Sequence, residues 1–226
     1  MSSAGEAEPG SRAAQPAPAT TVMPVVFVVD DDVSVRESLE LMILAAGWHP
    51  ETFPSATDFL AHPRLGGPSC LVLDVSLPGL NGLDLQKRIV DRTDMPIIFI
   101  TGYGDVPTSV QAMKAGAAEF LTKPFNDDVL LSAIRQAIER SRIELAHEAE
   151  LHAFRNCHAS LTPREREIMA LVVSGRLNKK IAAELGISEI TVKAHRGRVM
   201  RKMQAGGVAQ LVRLADQLGF GAPQPA

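Results

Sequence analysis

The chain has 226 residues, enough for two domains that each bury a hydrophobic core. No apolar run approaches the ~20 residues that cross a bilayer, and the first residues lack a secretory signal, so we expect a cytoplasmic protein that is not bound to a membrane. Cys70 and Cys157 share no metal or redox spacing, which argues against a disulfide-stabilised class. The net charge of −3 divides into +6 for residues 160–226 and −9 for the rest, which favours a nucleic-acid-binding segment joined to an acidic one.

Strands and helices alternate from Pro24 onward, after a segment rich in Ser, Ala, Gly and Pro that predicts a disordered tail over residues 1–23. Short apolar runs predict five strands, over Val25–Asp30, His49–Phe53, Cys70–Asp74, Pro96–Thr101 and Ala118–Thr122. Helical periodicity and capping residues predict the helices between them, over Val33–Ala46, Ser55–His62, Gly82–Asp91, Asp105–Gly116 and from Asp127 onward. The short connections indicate an α/β doubly wound five-stranded parallel sheet, with the first and third strands as neighbours.

The fifth helix has no Pro or Gly before about His152, so we expect it to continue as a helical linker. In a heptad frame, one of the two core positions of this helix is occupied by Ser141 and Glu148, which are too polar for a permanent coiled coil. We therefore expect the unmodified chain to be mainly monomeric. The predicted domain limits are 24–140 for the α/β domain, 141–159 for the linker, 160–221 for a second domain and 222–226 for a short tail.

The segment after the linker predicts a small all-α domain of four helices. Helix caps are expected at Thr162, Asn178 and Ser188, and helices over residues 163–174, 179–185, 189–204 and 208–218. The short turn Gly186-Ile187-Ser188 joins the second and third of these helices. Two helices joined in this way are typical of a DNA-binding helix-turn-helix.

A set of carboxylates follows two strands that the predicted topology makes neighbours. Asp30–Asp32 lies at the end of the first strand, and Asp74 ends the third, at the sheet edge where open α/β folds place their sites. Adjacent carboxylates repel one another unless a cation lies among them, so the set favours a site for Mg²⁺. One of the three adjacent acids is explained as a helix cap, and a solvated acidic loop is the alternative explanation for the cluster.

Thr101 and Lys123 add a hydroxyl and an ammonium group at the ends of the fourth and fifth strands. A divalent cation, a hydroxyl and an ammonium around one carboxylate can stabilise the oxygens of a phosphoryl group while that carboxylate attacks in line. Each residue alone has a simpler explanation, but the order and topology favour a phosphoryl-accepting Asp74.

Residues 24 to about 140 resemble the receiver domain of two-component response regulators, because four motifs stand in that family's order and spacing: VVDDD, LVLDxxLPGxNG, IIFITG and FLTKPF. Residues 160–220 resemble the LuxR-type helix-turn-helix, through LTPREREI, NKKIAxELGIS and TVKAHRxxVMxKM. The run TGYGDVPTSVQAMKAGA and the NxKIA block are similar to the FixJ-type subgroup of these regulators.

The resemblance implies roles for the residues at the strand ends. It implies that Asp74 is the phosphoacceptor and that Lys123 pairs with the phosphoryl group. It also implies a Mg²⁺ ion held directly by Asp31, Asp74 and the Ser76 carbonyl, and held through water by Asp30.

The resemblance further implies a switch that reports phosphorylation. Thr101 is the expected switch hydroxyl and Phe120 the switch aromatic, although Phe120 alone would be interpreted as an ordinary core residue. A cis peptide bond is expected between Lys123 and Pro124, and Asp32 is left as a helix cap.

The third helix of the second domain has an apolar face and a basic face. Val192, His195 and Val199 are expected to pack inward, and Lys193 is best placed to reach base edges in a major groove. Gly197 either lets the helix approach DNA closely or removes one contact, at a cost of about 1 kcal/mol relative to Ala. The candidate DNA-binding residues are Asn178, Lys179, Thr191, Lys193, Ala194, Arg196, Gly197, Arg198 and Arg201.

Together these features predict a phosphorylation-activated transcription regulator that is not an enzyme. Its expected partners are a cognate sensor histidine kinase, double-stranded DNA, RNA polymerase and, after phosphorylation, a second copy of the chain. The alternative is a pseudo-receiver scaffold that never takes phosphate, which the presence of Asp30, Asp31, Asp74, Thr101 and Lys123 disfavours. An RNA-binding output would favour aromatic residues for stacking, and residues 160–226 contain only Phe220.

Overall fold

The computed structural model describes residues 23–63, 66–102 and 104–220. Except for Met23, the predicted tails therefore lie outside the described residues. The described residues form two compact units, one of residues 23–63, 66–87, 97–102 and 104–134 and the other of residues 88–96 and 135–220. None of the helices in these ranges is long and apolar enough to span a membrane.

The first unit contains a five-stranded parallel sheet, as predicted. Its strands are β1 (Val25–Val29), β2 (His49–Phe53), β3 (Ser69–Asp74), β4 (Ile97–Thr101) and β5 (Glu119–Thr122). Their order is β2-β1-β3-β4-β5, so β1 and β3 are neighbours and Val29 pairs with Leu73. Because all strands run the same way, the residues that follow β1, β3, β4 and β5 meet at one edge of the sheet.

Helices alternate with these strands. They are α1 (Val33–Ala45), α2 (Ala56–Ala61), α3 (Gly82–Arg88), α4 (Val106–Lys114) and α5 (Asp127–Ala159). The Asp32 carboxylate accepts the Ser34 N–H at 2.8 Å and caps α1, which confirms its predicted role. The predicted third helix ends three residues early, because the Arg92 N–H instead donates to the Ile89 carbonyl in a tight turn at 2.8 Å.

Gly82 brings the start of α3 against the end of β3. Its N–H donates to the Val75 carbonyl at 3.0 Å, and a β-carbon built on it would lie 2.4 Å from the carbonyl oxygen of Asp74. A side chain at this position would therefore collide with the main chain that carries Asp74. The short connection after β3 depends on this glycine.

The second unit packs four helices and the end of α5 around one core. The four are α6 (Pro163–Val173), α7 (Asn178–Leu185), α8 (Glu189–Lys202) and α9 (Val208–Gln217). Phe154 of α5 is buried in the same core as residues of all four helices, including Ile168, Ile181, Val192 and Leu211. The predicted cap at Asn178 is wrong: this residue is the first of α7, and Leu177 precedes it without a capping side chain.

Ser141, one of the polar residues of the predicted heptad row, is fully buried within the second unit. Its hydroxyl donates a hydrogen bond to the Asp94 carbonyl. Such a partner offsets the cost of burying a hydroxyl. The polar residue at this position is therefore explained by a hydrogen bond within the chain.

A capping box begins α6, as predicted. The Thr162 hydroxyl accepts the Glu165 N–H, and the Glu165 carboxylate accepts the Thr162 N–H at 2.9 Å. Lys202 of α8 lies 2.7 Å from the same carboxylate. The hydrogen bond from Lys202, with that from the Thr162 backbone, lowers the pKa of Glu165 to about 2.

We expect Glu165→Gln to lower the melting temperature near pH 7 and to lose this effect as the pH falls towards 2. The carboxyl has a pKa of about 2 when folded and an ordinary value of 4.5, so its stabilisation is present above 4.5 and is lost as the pH falls through this range. The measurement is thermal unfolding of the full chain, followed by helical circular dichroism at several pH values. Glu167→Gln, in an exposed pair with Arg164, is the control. If Glu165→Gln lowered the melting temperature by the same amount at every pH, the stabilisation by the charged Glu165 carboxylate would be contradicted.

We expect Gly82→Ala to lower the melting temperature of the full chain, because the new methyl group forces main-chain atoms apart. Overpacking of this kind costs about 1–3 kcal/mol. The control is Gly66→Ala, whose methyl group would meet none of the described atoms within 4 Å. Equal melting temperatures for the two variants would show that α3 and β3 separate without strain.

Candidate functional site

Three carboxylates and one ammonium group converge at the carboxyl edge of the sheet. Lys123, which follows β5, has its Nζ 2.6 Å from Asp30 Oδ2 and 3.2 Å from Asp74 Oδ2. Asp30 and Asp74 are buried, whereas Asp31 is exposed. The structure thus brings together the strand-end residues that the sequence predicted as one site.

Backbone N–H groups fix the orientation of both buried carboxylates. The Asp32 N–H donates to Asp30 Oδ1 at 2.9 Å, and the Ser76 N–H donates to Asp74 Oδ1 at 3.1 Å. On each carboxylate, one oxygen therefore accepts from the main chain and the other faces Lys123. The main chain and Lys123 thus fix the orientation of both groups.

The electrostatics follow from burial and from this pairing. Burial raises the pKa of Asp30, and the hydrogen bond from Lys123 opposes the rise without cancelling it. Burial also acts against the charge on Lys123, but its bonds and charge interactions with Asp30 and Asp74 together raise the pKa of the ammonium group. The site keeps a cation beside two carboxylates.

The carboxylates also fit a metal ion. Asp30, Asp31 and Asp74 each offer an oxygen within 4.8 Å of the others. Carboxylate oxygens are the ligands that Mg²⁺ prefers, and the exposed Asp31 leaves one side of the cluster open to solvent. The donor set therefore fits Mg²⁺ better than a softer metal that takes nitrogen or sulfur.

The two predicted switch residues lie on neighbouring strands beside this cluster. Thr101 is buried at the end of β4, and its carbonyl accepts the Lys123 N–H at 2.7 Å. Phe120 of β5 is half-buried, with its ring centroid 6.2 Å from that of Phe99. The peptide bond between Lys123 and Pro124 is cis, as predicted.

A second candidate site is the outer face of α8 in the second unit. Val192 and Val199 are buried, and His195 is half-buried, as expected for the inner face. The predicted DNA-contacting residues of α8 that are exposed are Lys193, Ala194, Gly197, Arg198 and Arg201. A helix that follows a tight turn and presents a basic outer face can enter a major groove.

Three other candidate DNA contacts, on α7 and α8, are less exposed than expected for residues that touch DNA. Thr191, Arg196 and Asn178 are half-buried, whereas Lys179 is exposed. The Arg196 guanidinium donates to Asn178 Oδ1 at 2.5 Å and joins α7 to α8. The sequence did not reveal this pair, because its members are far apart in the chain and each resembles a solvent-facing polar residue.

Similar proteins were found for both units. Residues 26–135 match the response regulator receiver domain family, and residues 159–215 match the luxR family of bacterial regulatory proteins. Nodulation protein W of Bradyrhizobium diazoefficiens is 46% identical over 199 residues, with 88% of each chain covered. The transcriptional regulatory protein FixJ of the same organism is 43% identical over 197 residues, covering 86% of this chain and 96% of FixJ.

Among solved structures, the response regulator StyR has a TM-score of 0.73 and 44% sequence identity, covering 87% of this chain and all of StyR. These similarities span both units and confirm the resemblance that the motifs indicated. The chain therefore belongs to the FixJ-type response regulators, which join a receiver domain to a LuxR-type DNA-binding domain, and is a two-component transcription regulator.

Proposed function

We propose that Asp74 accepts the phosphoryl group in this regulator. A carboxylate oxygen of Asp74 forms the new O–P bond, while the N–P bond of a phosphohistidine donor breaks and the imidazole leaves with the electron pair. The observation that carries the proposal is the position of Lys123 at the carboxyl edge of the sheet. Its Nζ lies within 3.2 Å of a carboxylate oxygen of both Asp30 and Asp74. The donor is a sensor histidine kinase, the partner that the family implies.

The surrounding residues have distinct roles in this proposal. The Lys123 ammonium pairs with the oxygens of the transferred group, and the Thr101 hydroxyl donates to them once it has moved. Asp31, Asp74 and the Ser76 carbonyl would hold Mg²⁺, with Asp30 acting through water, and the three carboxylates each offer an oxygen within 4.8 Å of the others. When bound, the ion neutralises negative charge on the phosphoryl oxygens.

Phosphorylation then controls dimerisation in the proposed scheme. Thr101 moves towards the phosphoryl group, Phe120 follows it, and the face formed by α4, β5 and α5 becomes competent to bind a second copy. A phosphoryl group can shift this equilibrium because its partners differ between the two conformations. Two linked DNA-binding domains then bind paired half-sites more tightly than one domain binds alone.

Residues 24–140 act as the receiver, 141–159 as the linker and 160–221 as the DNA-binding domain. The output is binding to double-stranded DNA in the cytoplasm and contact with RNA polymerase, rather than enzymatic turnover. The +6 charge of residues 160–226 and the exposed basic face of α8 support this output. A scaffold that never takes phosphate is the alternative, and the pairing of Lys123 with Asp30 and Asp74 disfavours it.

The test of the proposal is phosphorylation by a small donor. Incubated with acetyl phosphate and Mg²⁺, the full chain should gain one phosphoryl group by intact mass, and Asp74→Asn should gain none. Asp32→Asn is the matched control and should react like the wild type, because Asn also caps a helix. Undiminished incorporation in Asp74→Asn would contradict the proposal.

We expect Mg²⁺ to raise the melting temperature of the wild-type chain in the absence of phosphate. An ion that binds the folded state alone stabilises it by mass action, and here it also offsets repulsion among three carboxylates. Asp31→Asn should reduce the shift and Asp32→Asn should keep it. An equal shift in both variants would remove Asp31 from the ligand set.

We expect Lys193→Ala to relax sequence preference, because Lys193 is placed to reach base edges. Arg198→Ala should instead weaken binding to all duplexes alike. It should also reduce the slope of the logarithm of affinity against the logarithm of salt concentration by about one. The measurement compares a duplex that the wild-type chain selects from a random pool with a random-sequence duplex, at several salt concentrations. If Lys193→Ala lowered affinity for both duplexes equally, the base-contact assignment would be wrong.

A further inference from the structure

Gly104, in the loop between β4 and α4, passes close to both side chains of the proposed switch. A β-carbon built on Gly104 would lie 2.5 Å from Thr122 Cγ2, 3.2 Å from Phe120 Cε1 and 3.4 Å from Thr101 Cγ2. The first distance is shorter than real β-carbon contacts, and the second is unusually tight. With Thr101, Phe120 and Thr122 in these positions, a side chain at 104 does not fit without displacing a neighbour.

The requirement for glycine here is one of space. Gly104 does not have the positive φ that disfavours other residues, so its backbone conformation is open to alanine. Gly102, in the same loop, provides a contrast, because a β-carbon there would meet none of the described atoms within 4 Å. The crowding is therefore specific to position 104.

We infer that Gly104 is a positioning residue of the switch, whose bare main chain stabilises the conformation in which Thr101 and Phe120 occupy their present positions. This inference rests on the proposed function, in which both residues move when Asp74 is phosphorylated. A methyl group at 104 crowds Thr122 Cγ2 and Phe120 Cε1 in the present conformation. When Thr101 and Phe120 move away, the contact with the ring is lost and the loop at 104 has space to shift away from Thr122. Because a change shifts a two-state equilibrium only through its different effect on the two states, Gly104→Ala favours the displaced state.

The experiment compares the wild-type full chain with Gly104→Ala and Gly102→Ala. Sedimentation gives the dimer-to-monomer ratio with and without beryllium fluoride and Mg²⁺, and intact mass gives the rate of reaction with acetyl phosphate. For Gly104→Ala we expect a rise of about tenfold in the dimer-to-monomer ratio without beryllium fluoride, and a faster reaction. Gly102→Ala should match the wild type in both measurements.

A compensating change makes the steric origin testable. Thr122→Ser removes the methyl group of the shortest contact, so the double variant Gly104→Ala, Thr122→Ser should return towards wild-type values, and Thr122→Ser alone should change little. A mere loss of stability at position 104 would not raise the reaction rate, so the two measurements separate positioning from folding.

The inference is overturned if Gly104→Ala leaves both quantities unchanged, lowers them or unfolds the chain, since it requires a second packed conformation. It is also overturned if Gly102→Ala gives the same rise or if the double variant shows no return. A wild-type chain that neither gains a phosphoryl group nor dimerises with beryllium fluoride would instead refute the proposed function. Normal wild-type behaviour with an unresponsive Gly104→Ala would refute this inference alone.

Discussion

The ammonium group of Lys123 between two buried carboxylates is the interaction on which the receiver unit depends. Asp30 follows β1 and Asp74 ends the neighbouring β3, and both face the same cation, at 2.6 and 3.2 Å. Without that cation, two buried like charges would repel one another, and burial would favour the protonated form of Asp30. The strand order places all three groups at one edge of the sheet, so the topology of the sheet creates the site.

The same arrangement explains how a phosphoryl group could act on the structure. In the conformation described, each carboxylate has one oxygen bound to a backbone N–H and the other facing Lys123. A phosphoryl group on Asp74 would change the partners of Lys123 and attract Thr101, whose neighbour in space is the main chain of Gly104. Small movements at Asp74 would thus displace the loop that connects β4 to α4.

The sequence predicted the sheet, the strand-end cluster and the basic face of α8, because each depends on local periodicity or on motif spacing. It did not predict side-chain contacts between helices or loops that no motif marks. The bond from Arg196 to Asn178 needs the approach of two helices, and the burial of Ser141 needs the Asp94 carbonyl beside it. The crowding at Gly82 and Gly104 was equally hidden, because a glycine in a sequence does not reveal what its missing side chain would meet.

The central claim is that phosphorylation of Asp74 controls binding of the second unit to DNA. Its most direct test is selection of bound fragments from genomic DNA by the full chain treated with acetyl phosphate and Mg²⁺, in parallel with Asp74→Asn treated identically. The account predicts that the treated wild-type chain enriches fragments with paired half-sites about one helical turn apart, and that Asp74→Asn does not. Enrichment of the same fragments to the same extent by both chains would contradict it.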